Sequence, residues 1–187
     1  MSAAYDQIIY DVALQEGFNP KAAKLIVAQA RFESADYSSN VFRNNLNTSG
    51  MKFIGQPLAT RGTIAPASER SAKCKSDNIC ANSDYYAAFK SVGDSARDKI
   101  QRLYNITMRG VTPQQLKAAT TPEEFAKLLK QRGYYGDKET TYANGLRAKL
   151  LRIQVVDFVS KNKSTLMIGG GILLISLAYY LYSKNNN

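Results

Sequence analysis

Residues 24–37, KLIVAQARFESADY, read as a helix that carries one carboxylate, Glu33, to its C-terminal end. Leu25, Ile26, Ala28, Ala30 and Phe32 leave little polar circumference, which predicts a helix buried on most sides. A carboxyl at the end of such a helix has its charged form disfavoured by desolvation, so its pKa is expected to rise. A carboxylic acid that keeps its proton near neutral pH can protonate a leaving-group oxygen. On periodicity alone, a surface Glu at a helix end fits the same residues. Asn19-Pro20 supplies a cap and a first-turn proline for this helix, and Gly17 ends the one before it, where Tyr5, Ile8, Ile9, Val12 and Ala13 recur at helical spacing.

Composition narrows the chemistry. The chain has 187 residues, a net charge of +10 and no histidine. Imidazole bases, Ser-His-Asp triads and His metal sites are therefore excluded, and acid–base work falls to carboxylates, Tyr or Lys. The basic excess suits an anionic partner such as a wall polymer, a membrane surface or nucleic acid, but Lys and Arg are spread out and no specific nucleic-acid motif stands out. Cys74 and Cys80 enclose KSDNI; they read either as a small disulfide loop or as two free thiols.

Downstream, Ser38–Ser49 reads as a polar loop, and residues 51–90 lack helical periodicity. Short runs at Met51–Ile54, Thr63–Ala65 and Tyr85–Phe89 predict a hairpin or three-stranded lobe with the cysteines near its tip. Ser91–Asn105 reads as a helix with Val92, Ala96, Ile100 and Leu103 on one face. Thr112-Pro113 opens a short segment, and Thr121-Pro122-Glu123-Glu124 is a strong helix start. A last soluble helix is expected from Thr141 to about Val159.

Three separated patches, in order, resemble the glucosaminidase family of peptidoglycan hydrolases (glycoside hydrolase family 73, the autolysin, flagellar rod-assembly and phage lysin type). They are AQARFES at 28–34, Asn44-Asn45-Leu46 followed after Asn47-Thr48-Ser49 by Gly50-Met51-Lys52, and the Gly133-Tyr134-Tyr135-Gly136 segment running to Tyr142-Ala143. The aromatic residue usual after the Glu-Ser step is replaced by Ala35-Asp36-Tyr37. The resemblance implies a mainly α, lysozyme-like α+β domain with a small β-lobe over residues 1–158. It implies cleavage of β-1,4 bonds in the glycan strand, with Glu33 as acid and Glu69 as second carboxylate, either activating water or stabilising the transition state. Asp77 and Asp84 are the reserves for that second place. It also implies substrate contacts from Tyr142, Asn44, Asn45, Lys52 and Tyr135, and calls for no cofactor or metal. A lytic transglycosylase would need only the one Glu. The competing reading is a wall-binding structural protein of a virion or envelope machine without catalysis.

Between Lys163 and Lys184 lie twenty uncharged residues, STLMIGGGILLISLAYYLYS, with Tyr179, Tyr180 and Tyr182 near one end. As a helix they would measure about 30 Å, the thickness of a hydrocarbon core. We therefore expect a linker over 159–164, a membrane span over 165–183 in contact with the lipid bilayer, and a polar tail over 184–187. The first residues are neither basic nor continuously apolar, so no cleaved leader is expected. Lys161 and Lys163 favour a cytoplasmic domain by charge bias, whereas peptidoglycan lies on the opposite side. A viral membrane, as in lipid-containing phages, would reconcile the two; otherwise the anchor sits in a bacterial inner membrane.

Overall fold

The helix that carries Glu33 lies at the centre of the observed fold. The computed structural model describes residues 2–153 and 155. Helix α1 spans Ser2–Gln15 and α2 spans Pro20–Glu33. The Asn19 Oδ1 accepts the Ala22 N–H at 2.8 Å, so the expected cap and Pro start are both present. Every residue of α2 from Leu25 to Arg31 is buried, which is why its sequence shows almost no polar face. Removing apolar area of that size from water is worth about 1.5–3 kcal/mol for each of Leu25, Ile26 and Val27.

Four helices enclose α2: α1, α6 (Pro113–Ala118), α7 (Pro122–Gln131) and α8 (Glu139–Leu150). Thr112 and Thr121 cap α6 and α7 through their side chains, as their sequences predict. Tyr104, Phe125, Leu129 and Leu146 are fully buried in the same core. In α1, Ile9, Val12 and Ala13 are buried, with Tyr5 and Ile8 packed at the edge.

The remaining elements depart in detail from the sequence reading. The predicted polar loop contains a short helix, α3 (Asn40–Asn45), capped by Ser39. The predicted helix over 91–105 is α5 (Val92–Lys99) followed by a π-helical turn, Ile100–Tyr104, closed by the Asn105 N–H on the Ile100 carbonyl at 2.9 Å. Helix α8 starts at Glu139 and stops at Leu150; the expected extension to Val159 gives way to a turn, and its end lies outside the described residues. The linker, span and tail expected from 159 onward lie outside the described residues as well. Among the described residues no helix is long and apolar enough to cross a membrane.

Of the two expected forms of the β-lobe, the structure has the two-stranded one. Strands β1 (Ala59–Ile64) and β2 (Tyr85–Phe89) pair antiparallel, Ala59 opposite Phe89 and Arg61 opposite Ala87, with an irregularity between Arg61 and Ile64. Gly62 sits there because a Cβ would run into the Asn45 side chain and Ala88. Instead of a third strand, Lys52 makes an isolated bridge to Tyr86. The short helix α4 (Ala72–Ser76) completes the lobe, and Cys74 and Cys80 are joined in a disulfide.

Candidate active site

Glu33 is the last residue of α2, and its side chain is only 15 % exposed. The surroundings are not apolar, as the isolated helix suggests, because three donors converge on the carboxylate from distant parts of the chain. Lys99, at the end of α5, donates to Oε2 at 2.9 Å. The Tyr134 hydroxyl, in the segment after α7, lies 2.9 and 3.0 Å from the two oxygens. The Tyr142 hydroxyl, on α8, donates to Oε1 at 2.9 Å. Both oxygens are therefore held, and the rotamer is fixed by groups on three different elements.

Behind this shell runs a second set of bonds. Gln29, one turn earlier on α2, donates from Nε2 to the Tyr142 hydroxyl at 2.8 Å and accepts from the Tyr104 hydroxyl at 2.5 Å. Because Gln29 donates to Tyr142, the Tyr142 proton is directed at Glu33. Burial pushes the Tyr104, Tyr134 and Tyr142 hydroxyls well above the ordinary phenol range, reinforced in each by the nearby Glu33 charge. The Tyr142 ring is packed face to face on Tyr135 at 4.0 Å and edge-on to Phe32 at 5.5 Å. Phe32 itself lies against Gly145, where a Cβ would strike the ring.

Lys99 is 2 % exposed, and burial pulls its ammonium below the usual range against the opposing pull of Glu33. Its Nζ also sits 5.4 Å from the Tyr134 ring centre and 5.9 Å from that of Tyr104. Lys99, Tyr134, Gln29 and Tyr104 are the site residues that sequence reading missed. A signal for Lys99 was present: it stands seven residues after Val92 and three after Ala96, on the apolar stripe of its helix.

Glu69 belongs to a separate constellation in the β-lobe. It closes a single 3-10 turn, Ala67–Glu69, and its Oε2 accepts from Lys52 Nζ at 2.7 Å and from the Tyr86 hydroxyl at 2.9 Å. Lys52 lies over the Tyr86 ring at 4.2 Å. The Lys52 bond, helped by Tyr86, holds the Glu69 carboxyl below the ordinary range, and Tyr86 is pushed up to about 12 by burial and by Glu69. Glu69 is thus an ionised, half-exposed carboxylate with a cation beside it. The two reserves are placed differently. Asp84 accepts from the Ser71 backbone and hydroxyl and from the Ala81 N–H, so it shapes the disulfide loop. Asp77 is an exposed residue that ends α4.

Among the residues expected to contact substrate, Tyr142 and Glu33 meet directly, as do Lys52 and Glu69. The Asn45 amide is occupied at both ends by Thr63, donating to Oγ1 at 2.7 Å and accepting the backbone N–H at 3.0 Å, so it pins α3 to β1. Asn44 is exposed on α3. The Tyr135 hydroxyl donates to the Ala126 carbonyl at 2.9 Å, so its contribution to the site is the ring stacked on Tyr142. The inserted Asn47-Thr48-Ser49 has a structural use. Asn47 donates to the Met51 and Ala87 carbonyls, and the Thr48 N–H donates to Ser95, tying the turn to β2 and α5. Among the described residues, Cys74, Cys80 and Asp84 form the one group close enough to hold a metal ion, and its two sulfurs are bonded to each other.

The model of the glucosaminidase family, described as mannosyl-glycoprotein endo-beta-N-acetylglucosaminidase, matches residues 7–154. No curated protein sequence matches the chain. Two solved structures share the fold. One is a type VI secretion system effector–immunity complex from Pseudomonas protegens, at 18 % identity and a TM-score of 0.50, covering 80 % of this chain and 91 % of that one. The other is the catalytic domain of the autolysin Auto from Listeria monocytogenes, at 19 % identity and a TM-score of 0.51, covering 81 % of each chain.

Proposed function

The chain belongs to the glucosaminidase family and is a glycoside hydrolase, and from that premise we propose that it cuts the β-1,4 bonds of the peptidoglycan glycan strand as an N-acetylglucosaminidase. The observation that carries this reading is the Glu33 carboxylate, fixed at both oxygens by Lys99, Tyr134 and Tyr142 while its side chain keeps some access to solvent. Such a group is placed to protonate a glycosidic oxygen. Glu69, kept ionised by Lys52, takes the part of the second carboxylate, as base toward water or as a stabiliser of the oxocarbenium-like transition state. Tyr142 and Lys52 then line the path of the sugar between them. The +10 charge favours retention on an anionic wall.

The test uses the full chain on purified peptidoglycan, with turbidity and mass spectrometry of the released ends. Wild type should clear the wall and leave reducing N-acetylglucosamine ends. Glu33→Gln should keep its melting temperature and lose activity by about 10²–10⁴-fold, the usual range for a general acid. Anhydro ends would convert the assignment to a transglycosylase, and wall that stays intact with folded wild type would end it. We extend the proposal to a form anchored by residues 165–183, on a bacterial inner membrane or in a phage virion membrane. Release by salt without detergent would remove the anchor, and protease protection in intact particles or spheroplasts would fix the side on which the domain works.

A further inference from the structure

The general-acid role, on which this inference rests, creates a difficulty that Lys99 resolves. An acid must carry a proton, and Glu33 Oε2 is hydrogen-bonded at 2.9 Å to a buried ammonium that already holds one. Once glycan fills the cleft and displaces water, the proton has to come from a neighbour. Tyr142 directs its own proton at Glu33 under the donation from Gln29, but burial makes all three surrounding phenols hold their protons more tightly than usual. Lys99 is the opposite case. Its Nζ is almost wholly removed from water, and burial weakens its hold on the proton.

We propose that Lys99 is the positioning residue that loads Glu33: when glycan fills the cleft and displaces water, the Lys99 ammonium passes a proton to Glu33 Oε2 across their hydrogen bond. In that step one Nζ–H bond breaks and one Oε2–H bond forms, so an ion pair becomes a neutral amine beside a neutral acid. Lower local polarity favours the neutral pair, because two charges are costly to desolvate. Glu33 then gives the proton to the glycosidic oxygen as the C–O bond breaks and its electron pair stays on that oxygen. When the cleft reopens, Glu33, the member of the pair with access to solvent, takes up a proton from water and returns it to Lys99 across the same hydrogen bond. The groups that face Lys99 are Glu33 from α2, Tyr104 from the π-helical turn and Tyr134 from the segment after α7. Tyr142 of α8 reaches it through Glu33, and the neighbouring Asp98 pairs instead with Arg102 at 3.9 Å.

The alternative role, a fixed cation that merely anchors Glu33, predicts the opposite change on removing the charge. Without a proton-loading partner, Glu33 is protonated only by solvent, so activity survives only at acid pH. If instead the ammonium simply held Glu33 ionised, its removal would let Glu33 keep a proton to higher pH. The experiment measures kcat of the full chain on purified peptidoglycan from acid to alkaline pH for wild type, Lys99→Met and Lys99→Arg, with melting temperatures alongside.

The expected result is that the alkaline limb of Lys99→Met moves toward acid, with about a 10²-fold loss of kcat at neutral pH that shrinks as pH falls. Lys99→Arg keeps the charge but cannot release a proton, so it should lose comparable activity at neutral pH. A limb that stays in place or moves to higher pH in Lys99→Met overturns the inference while leaving the hydrolase reading intact. Wild type inert at every pH overturns both. If the variants do not fold, infrared difference spectra of wild type decide. Soluble glycan fragments of the wall should raise a carboxylic-acid band at neutral pH that Glu33→Gln lacks, and its absence overturns the proposal.

Discussion

Tyr142 is held on both sides of its hydroxyl, accepting from Gln29 at 2.8 Å and donating to Glu33 at 2.9 Å. That single oxygen links the floor of the core to the Glu33 carboxylate. Tyr142→Phe keeps the ring between Tyr135 and Phe32 and removes only the link. It leaves the buried Gln29 amide without its acceptor, at a cost of about 1–3 kcal/mol in thermal or urea unfolding. It also leaves Glu33 Oε1 with Tyr134 alone as donor. A hydrogen bond to a charged group contributes about 1.5–3 kcal/mol, so a loss of about tenfold or more in kcat is expected. Tyr135→Phe is the control. Its hydroxyl serves only the Ala126 carbonyl, so about 1 kcal/mol of stability should go with little change in rate. Equal rate losses in the two variants would mean that the Tyr142 hydroxyl has no special relation to Glu33.

The element that sets Glu33 in place is the turn that follows it. Ala35, Asp36 and Tyr37 all adopt positive φ, at 52°, 54° and 66°, a conformation that costs roughly 1 kcal/mol or more for each L-residue. The turn persists because α1 clamps it. Asp6, wholly buried on α1, accepts from Arg31 and from the Tyr37 hydroxyl at 2.8 Å, while Arg31 and Lys149 reach Asp36. Asp6→Ala leaves Arg31 without its main partner and should destabilise by about 3–5 kcal/mol, read from the unfolding midpoint. A loss below about 1 kcal/mol would mean that the turn holds itself. This clamp shows where sequence reading stops. The start of α2 was legible because Asn19-Pro20 is a local signal, and Thr121-Pro122 gave α7 in the same way. Glu33 and Tyr142, which the structure brings into contact, were singled out through the family wording around them. Lys99 and Tyr134 come from 66 and 101 residues away, and no local pattern states a contact of that span. Asp6, whose partners lie 25 and 31 residues away, carries no local mark of its burial either. The π-helical turn and α3 escaped because neither changes the apolar spacing that marks a helix or a loop.

Across the whole molecule, the ionisable groups divide by sign, and the division predicts how stability follows pH. Asp36, Glu69 and Asp84 all lie below the usual carboxylate range in the folded chain. Asp36 owes this to Lys149 and Arg31 acting against burial, Glu69 to Lys52 and Tyr86, and Asp84 chiefly to the Ser71 N–H. A carboxyl with a lower pKa folded than unfolded adds stability above its unfolded pKa, near 4, and loses it as pH falls through the folded value. The melting temperature should therefore hold through the neutral range and fall below about pH 4. Asp98 works in the opposite sense. It is 2 % exposed, one of its oxygens is unpartnered by any hydrogen bond, and burial raises its pKa against the weak pull of Arg102. Its contribution is present in acid and lost as pH rises through the raised value, so at neutral pH the ionised form opposes folding. Asp84→Asn should lower the melting temperature at neutral pH and converge on wild type in acid, because the charge it removes is already lost there. Asp98→Asn should raise the melting temperature at neutral pH and likewise converge in acid. Thermal melts of the three proteins over the acid-to-neutral range separate these signs, and parallel offsets at every pH would assign both residues to packing instead of charge.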